Sequence, residues 1–195
     1  MIIDIGGGTT DIAVIALSGI VVSQNIRIAG DQFNSAIVSY IRDEFKILIG
    51  EKTAEELKLV VCSVEENAEP IEATVRGRDL VTGLPREVVI TDADVREAII
   101  PLMDNLIEKT KEVLETTPPE VISDIMQNGI YLSGGGAQIA GMPRLLEVVL
   151  GISVHMADDP LTSVVRGTGV ILDDFEKFNE ILIGKDDEPV TKQLA

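Results

Sequence analysis

Only one cysteine, Cys62, occurs in the 195 residues, so no internal disulfide can form and the chain reads as cytoplasmic, or at least indifferent to redox state. Tryptophan is absent and the aromatics amount to four Phe and two Tyr, which leaves the core to aliphatic side chains. Basic residues are scarce: 16 Lys and Arg stand against 33 Asp and Glu, a formal net charge of −17. Phosphate backbones need a basic face, so nucleic acid is excluded as the main partner. No uninterrupted apolar run approaches the ~20 residues of a bilayer-spanning helix, and the opening residues do not read as a signal peptide. What is present is a globular composition, 45% hydrophobic and 25% charged, in a chain long enough for one large or two small domains.

Met1-Ile2-Ile3-Asp4-Ile5 reads as a buried strand that begins without a lead-in, and the expectation is a piece of a longer protein. Asp11 to Ala16 and Ile20 to Ile28 are two further strands, joined at Ser18-Gly19 into a meander. From Asp31 the period turns helical, with Phe33, Ala36, Ile37, Tyr40, Ile41, Phe45 and Leu48 on one face. A short helix covers Thr53 to Leu59, and Ile71 to Arg76 and Glu87 to Ile90 are strands on either side of a Gly83-Leu84-Pro85 turn. Thr91 and Asp94 form a capping box for a long amphipathic helix that Pro118-Pro119 ends. A helix from Glu120 to Met126 leads to a β/α rhythm: strand 129–133, helix 142–150, strand 152–156, helix 161–172. The tail from Gly184 is expected to fray, and the acidic stretch Glu65 to Glu72 to be a solvated loop. The fold class is mixed α/β.

Two glycine clusters carry chemistry. In Asp4-Ile5-Gly6-Gly7-Gly8-Thr9-Thr10-Asp11, backbone N–H groups with no Cβ between them can converge on a phosphate, two hydroxyls add donors, and a carboxylate at a strand end can hold magnesium through water. The bland alternative is a tight hairpin. No Gly-Lys-Ser/Thr follows, so it is not a Walker A loop. Leu132-Ser133-Gly134-Gly135-Gly136-Ala137 places bare backbone between a strand and a helix, where a flat base or an anion can lie. Close strand-to-helix packing is the alternative. Two such clusters in one α/β chain point to a shared nucleotide site. Cys62 has no nearby His for a nucleophilic role, and His155 reads as a core or edge residue of a strand.

The first cluster resembles the second phosphate loop of the actin, heat-shock chaperone and sugar kinase superfamily, and the second its adenosine loop. Within it, Asp4-Ile-Gly-Gly-Gly-Thr-Thr, Arg27-Ile-Ala-Gly-Asp31, Ile49-Gly-Glu-Lys-Thr-Ala-Glu55, Thr82-Gly-Leu-Pro85, Thr117-Pro-Pro-Glu120, Leu132-Ser-Gly-Gly-Gly136 and Asp159-Pro-Leu-Thr162 are similar, in order, to the MreB branch of the bacterial actins. The resemblance implies the second lobe of the actin-like ATPase fold. A ribonuclease H-like sheet-and-helix subdomain IIA (1–30 and 96–195) would carry an inserted α+β subdomain IIB (31–95), with the N-terminal half of the fold absent. It implies ATP with Mg2+ as cofactors, self-assembly into filaments, and rod-shape maintenance through the membrane-associated cell-elongation machinery. The location implied is cytoplasmic, with filaments at the membrane and membrane contact through the missing half.

By the same resemblance, Gly6, Gly7 and Gly8 would hold the β- and γ-phosphates, Thr9 and Thr10 would add hydroxyls, and Asp4 would hold magnesium through water. Glu55 would meet the ribose, with Ala54 and Glu56 beside it. Lys58 would lie along the adenine, and Gly134, Gly135, Gly136 and Ala137 would floor the base. Without the resemblance, Glu55 and Lys58 read as a surface ion pair. No catalytic residue is assigned beyond contacts of Thr10 and Asp11 to water or phosphate. Asp11 stands where relatives more often carry Glu, and Gly141-Met-Pro-Arg144 departs from the commoner Gly-Leu-Asp. The facing phosphate loop and the water-positioning group belong to the other half, so this stretch alone is expected to be inactive. A chaperone or sugar kinase of the same superfamily is the alternative.

Overall fold

The computed structural model describes residues 1–17, 19–66 and 69–182; the middle of the expected Ser18-Gly19 turn and the tail from Gly184 lie outside them. Strands β1 (Ile2–Ile5), β2 (Thr10–Ala16) and β3 (Gly19–Ile26) form an antiparallel meander. On the other side of β1, β7 (Ile130–Ser133) pairs in parallel, and β8 (Val154–Met156) pairs in parallel with β7, giving the order β3-β2-β1-β7-β8. Alternation decides the facing: Ile3, Ile5, Ile12, Val14, Ile130 and Leu132 are all buried on one side.

Between β3 and β7 runs a second group. Helix α1 (Gly30–Phe45) and helix α2 (Glu51–Val61) bracket the two-residue strand β4 (Ile47–Leu48). Strands β5 (Glu72–Asp79) and β6 (Pro85–Thr91) complete a separate sheet ordered β4-β5-β6. The β5–β6 turn is organised by Asp79, which accepts from the N–H groups of Val81 and Thr82, both at 2.8 Å, and from Arg86 at 3.1 Å. These donors, the two amides before the guanidinium, hold the Asp79 carboxyl down at about 2.

The 25-residue helix α3 (Asp92–Thr116) starts at the expected capping box: Thr91 Oγ1 accepts from Asp94 N–H at 3.2 Å and Asp94 Oδ2 accepts from Thr91 N–H at 2.8 Å. It carries Pro101 in its interior and buries Val95, Ile99, Met103, Leu106, Ile107 and Val113. After α4 (Pro119–Asn128) come β7, a single 3-10 turn at Gly136–Gln138, α5 (Met142–Leu150), β8, α6 (Ser163–Asp173) and α7 (Phe175–Leu182). Reading from periodicity missed β4, the 3-10 turn and α7, and ran β3 two residues too far, because Ile28 has already turned to cap the hairpin: its carbonyl accepts from Thr10 Oγ1 at 2.6 Å. The loop after α2 is not simply solvated as expected. Ser63 bridges to Ala140, and the Glu65 carboxylate faces Arg144 at 3.5 Å.

Candidate functional site

The β1–β2 turn is clamped onto the start of α1. Gly6 N–H donates to Thr9 O at 2.9 Å, while Gly30 N–H and Asp31 N–H donate to the carbonyls of Gly6 and Gly7 at 3.0 and 2.8 Å. The carbonyls are thus consumed inside the protein. Among the described residues the N–H groups of Gly7 and Gly8 have no intramolecular acceptor. A Cβ added at Gly7 would meet nothing within 4 Å, so the protein's own packing does not require glycine there.

From the opposite end of the chain, the β7–α5 connection reaches the same place. Gly134 has φ +83°, and a Cβ on it would lie 2.3 Å from the carbonyl oxygen of Ile5. At Gly136 the clash would be 2.3 Å from Ile5 Cγ2. Both glycines let the connection pack onto the end of β1, which is the packing alternative weighed from sequence. Gly135 and Gly136 also line the cleft that results.

That cleft has a volume of about 560 Å³, a size that suits a small organic ligand. The first glycine turn contributes Gly6 and Gly7, and α1 contributes Gly30, Asp31 and Asn34. The α2 wall supplies Glu55, Lys58 and the 59–63 segment, and Gln138, Ile139 and Ala140 extend the floor beyond Gly136. Ile71 and Leu161 add apolar surface. Lys58 Nζ donates to Gly30 O at 3.2 Å rather than pairing with Glu55; the surface ion pair does not form. Asn34 Oδ1 is buried with no hydrogen-bond partner among the described residues, an acceptor held ready at the cleft. Cys62 lines the cleft, but burial pushes its thiol up to about 12, so it stays protonated at neutral pH and is no nucleophile.

Several expected site residues stand elsewhere. Thr10 is fully buried and its hydroxyl is committed to Ile28 O, which leaves it nothing to offer a phosphate. Ala54 and Ala137 are buried in the core, and Gly8 and Thr9 adjoin the cleft in sequence without being among its lining residues. Glu56, one position beyond Glu55, points away toward Thr53, Thr74 and Arg76 and lies 3.9 Å from Lys52. Asp4 is register partner of both Asp11 and Ser133, so the two carboxylates are neighbours on the sheet face opposite the core, outside the cleft lining. Asp11 accepts from Asn25 Nδ2 at 2.7 Å. Asn34, Ser63, Gln138, Ile139 and Ala140 were not singled out from sequence. Ser63 and Ala140 owe their place to each other across the chain, while Gln138 and Ile139 are set by the local 3-10 turn on Gly135 and Gly136.

A family model described as MreB/Mbl protein matches residues 1–180. The cell shape-determining protein Mbl of Bacillus subtilis is 45% identical over 178 residues, 91% of this chain and 54% of that protein. The cell shape-determining protein MreB of Escherichia coli K12 is 43% identical over 173 residues, 89% of this chain and 50% of that protein. The chain therefore spans about half the length of these relatives. Among solved structures, MreB5 of Spiroplasma citri bound to ADP superposes with a TM-score of 0.88 at 39% identity, over 92% of this chain and 54% of that one. The same protein bound to AMPPNP superposes equally well, with a TM-score of 0.88 at 38% identity over 93% of this chain and 55% of that one. A MamK double helical filament gives a TM-score of 0.74 at 25% identity, over 89% of this chain and 54% of that one. The two sheets and their helices are those of the actin-like ATPase fold, and on the match over residues 1–180 the chain belongs to the MreB/Mbl protein family.

Proposed function

We propose that this chain is the nucleotide-holding second lobe of a filament-forming bacterial actin that helps determine cell shape. The observation that carries the reading is Gly7, a glycine that neither packing nor backbone conformation demands, set beside Lys58 and Glu55 in one cleft. A ligand with an anionic end and a flat apolar end satisfies that cleft. Phosphate oxygens accept from the free amides of Gly7 and Gly8. The base lies over Gly135 and Gly136, with Ile139, Leu161 and the stem of Lys58 around it, and Glu55 and Asn34 accept from ribose hydroxyls. ATP and ADP fit this description. MreB5 crystallised with ADP and with AMPPNP supports it.

Magnesium, when bound with the nucleotide, neutralises phosphate charge. Asp4 would hold it through water. In this reading residues 1–30 and 96–195 form one lobe and 31–95 the inserted one. Self-association is supported by the MamK filament, and a role in determining cell shape by the names of the curated relatives; filaments at the membrane working with the cell-elongation machinery extend that reading.

Calorimetric titration of the chain with ATP and ADP, with and without magnesium, tests the site. Saturable binding is expected, weakened about tenfold or more by Glu55→Ala and by Lys58→Ala, since each removes a group placed for the ligand. No binding by the parent, or binding by both variants as tight as the parent's, overturns the reading.

A further inference from the structure

Two cleft-lining residues, Ser63 and Ile71, flank the connection between α2 and β5, and both are tied to a single pair of side chains on α3. Arg96 Nη1 donates to the Glu65 carbonyl at 2.8 Å and lies 3.3 Å from Asp92 Oδ2. Asp92 Oδ1 accepts from Ile71 N–H at 3.2 Å, and Asp92 N–H donates to Ile71 O at 2.9 Å. The pair is well shielded, with side-chain exposures of 18% for Arg96 and 4% for Asp92, so water competes weakly for these bonds. On the far side of the same connection, Val64 N–H donates to Ala140 O at 2.9 Å, where Ser63 bridges to Ala140. Gly141 carries φ +81°, and a Cβ on it would fall 2.3 Å from Glu65 Cγ; the floor connection and the wall connection are in close contact there. None of Asp92, Arg96, Glu65 and Gly141 lines the cleft.

We infer that Arg96 and Asp92 are positioning residues for the cleft: by holding the Glu65 carbonyl and the Ile71 amide they fix the α2 wall against the glycine floor. This deepens the nucleotide reading and rests on it for the identity of the ligand. Without Arg96, the Glu65 carbonyl keeps only the Ser63 hydroxyl, which donates to it at 2.9 Å, and Asp92 loses one of its partners. The seam at Val64–Ala140 then opens more often, and the wall no longer presents Ser63 and Ile71 at a fixed distance from the floor.

Cys62, the chain's one cysteine, is 8% exposed and immediately precedes the seam, so its reaction with a thiol reagent reports local opening. The test compares the intact 195-residue chain with Arg96→Gln and Asp92→Asn, measuring Cys62 labelling rate, urea midpoint and ATP affinity by titration. Both variants are expected to label about tenfold faster than the parent below the unfolding transition, and to bind ATP about tenfold more weakly. Arg96→Lys, which keeps the charge, is expected to recover part of both losses. Labelling that changes only in proportion to global stability, with unchanged ATP affinity of the folded protein, overturns the inference. If Arg96→Gln fails to fold, hydrogen exchange of the parent decides. Val64 and Ile71 amides must open together, at lower cost than the core of α3; independent opening overturns the inference. If the parent binds no ATP, the nucleotide reading fails, while the labelling and exchange results still decide the positioning role.

Discussion

Two kinds of glycine meet in the cleft, and substitution separates them. Gly7→Ala adds a methyl to open space, so the thermal midpoint is expected to stay within about 2 °C of the parent. ATP affinity should nevertheless fall about tenfold or more, because the methyl occupies the place of a phosphate. Gly134→Ala and Gly136→Ala drive that methyl into Ile5 at 2.3 Å, and a loss of about 2–4 kcal/mol of stability is expected. Melting curves and ATP titrations of the three variants check the contrast. Asn34 gives the converse case. Its buried side-chain oxygen lacks a partner, so Asn34→Leu is expected to leave the ligand-free chain as stable or more stable. ATP affinity should drop by about 1–2 kcal/mol, the worth of one buried hydrogen bond; calorimetry on the variant measures both. Gly6, Gly7, Glu55 and Lys58 were legible as site candidates because they sit in runs whose composition or resemblance marks them. Asn34 and Ala140 were not, since an Asn inside an amphipathic helix and an Ala after an apolar residue look like ordinary filling. Thr10 misled for the reverse reason: a hydroxyl beside glycines suggests a ligand, whereas its strand register turns it inward onto Ile28.

At the level of elements, the long helices were legible from their apolar period and the capping box from four residues, because both signals are local. Strand β4, two residues long, carries no period at all and exists only because Ile47 and Leu48 pair with Asp79 and Arg78. The β5–β6 turn shows how one side chain can define an element. Asp79 is held at about 2 by the Thr82 and Val81 amides and then by Arg86, below the ~3.9 of an unfolded Asp. A depressed folded value means stabilisation that is complete above about pH 4 and disappears as the pH falls toward 2. Asp79→Asn is therefore expected to lower the urea midpoint at pH 6. The gap between variant and parent should narrow at pH 3, where the unfolded chain's Asp already binds a proton that the folded carboxyl still refuses. Equal gaps at the two pH values would show that Asp79 acts through shape alone.

For the molecule as a whole, the cleft holds one glycine hairpin against which phosphates would lie under the proposed reading, and the chain spans about half the length of its relatives. Each preorganised donor withheld from a developing phosphate charge costs about 3 kcal/mol, or two to three decades in rate. The 195-residue polypeptide by itself is therefore expected to bind nucleotide weakly, release no phosphate from ATP above background, and stay in the supernatant on centrifugation with ATP and magnesium. Phosphate release and pelleting beside a full-length relative measure this, and turnover or ATP-dependent pelleting at comparable levels would contradict it. The order of the larger sheet has a consequence for how the molecule comes into being. Ile2 pairs with Tyr131 and Asp4 with Ser133, so the central seam of that sheet joins residues about 130 positions apart. A ribosome adding roughly 5–20 residues per second delivers β1–β3 on the order of 10 s before β7 leaves it. During that wait one edge of β1 has no neighbour and the glycine turn has no floor, while β5 and β6, only a short turn apart, are free to zip together. The cleft therefore cannot close until its floor, Gly135 to Ala140, has been made, and under the proposed reading a nucleotide could hold only a nascent molecule that has already closed its central sheet.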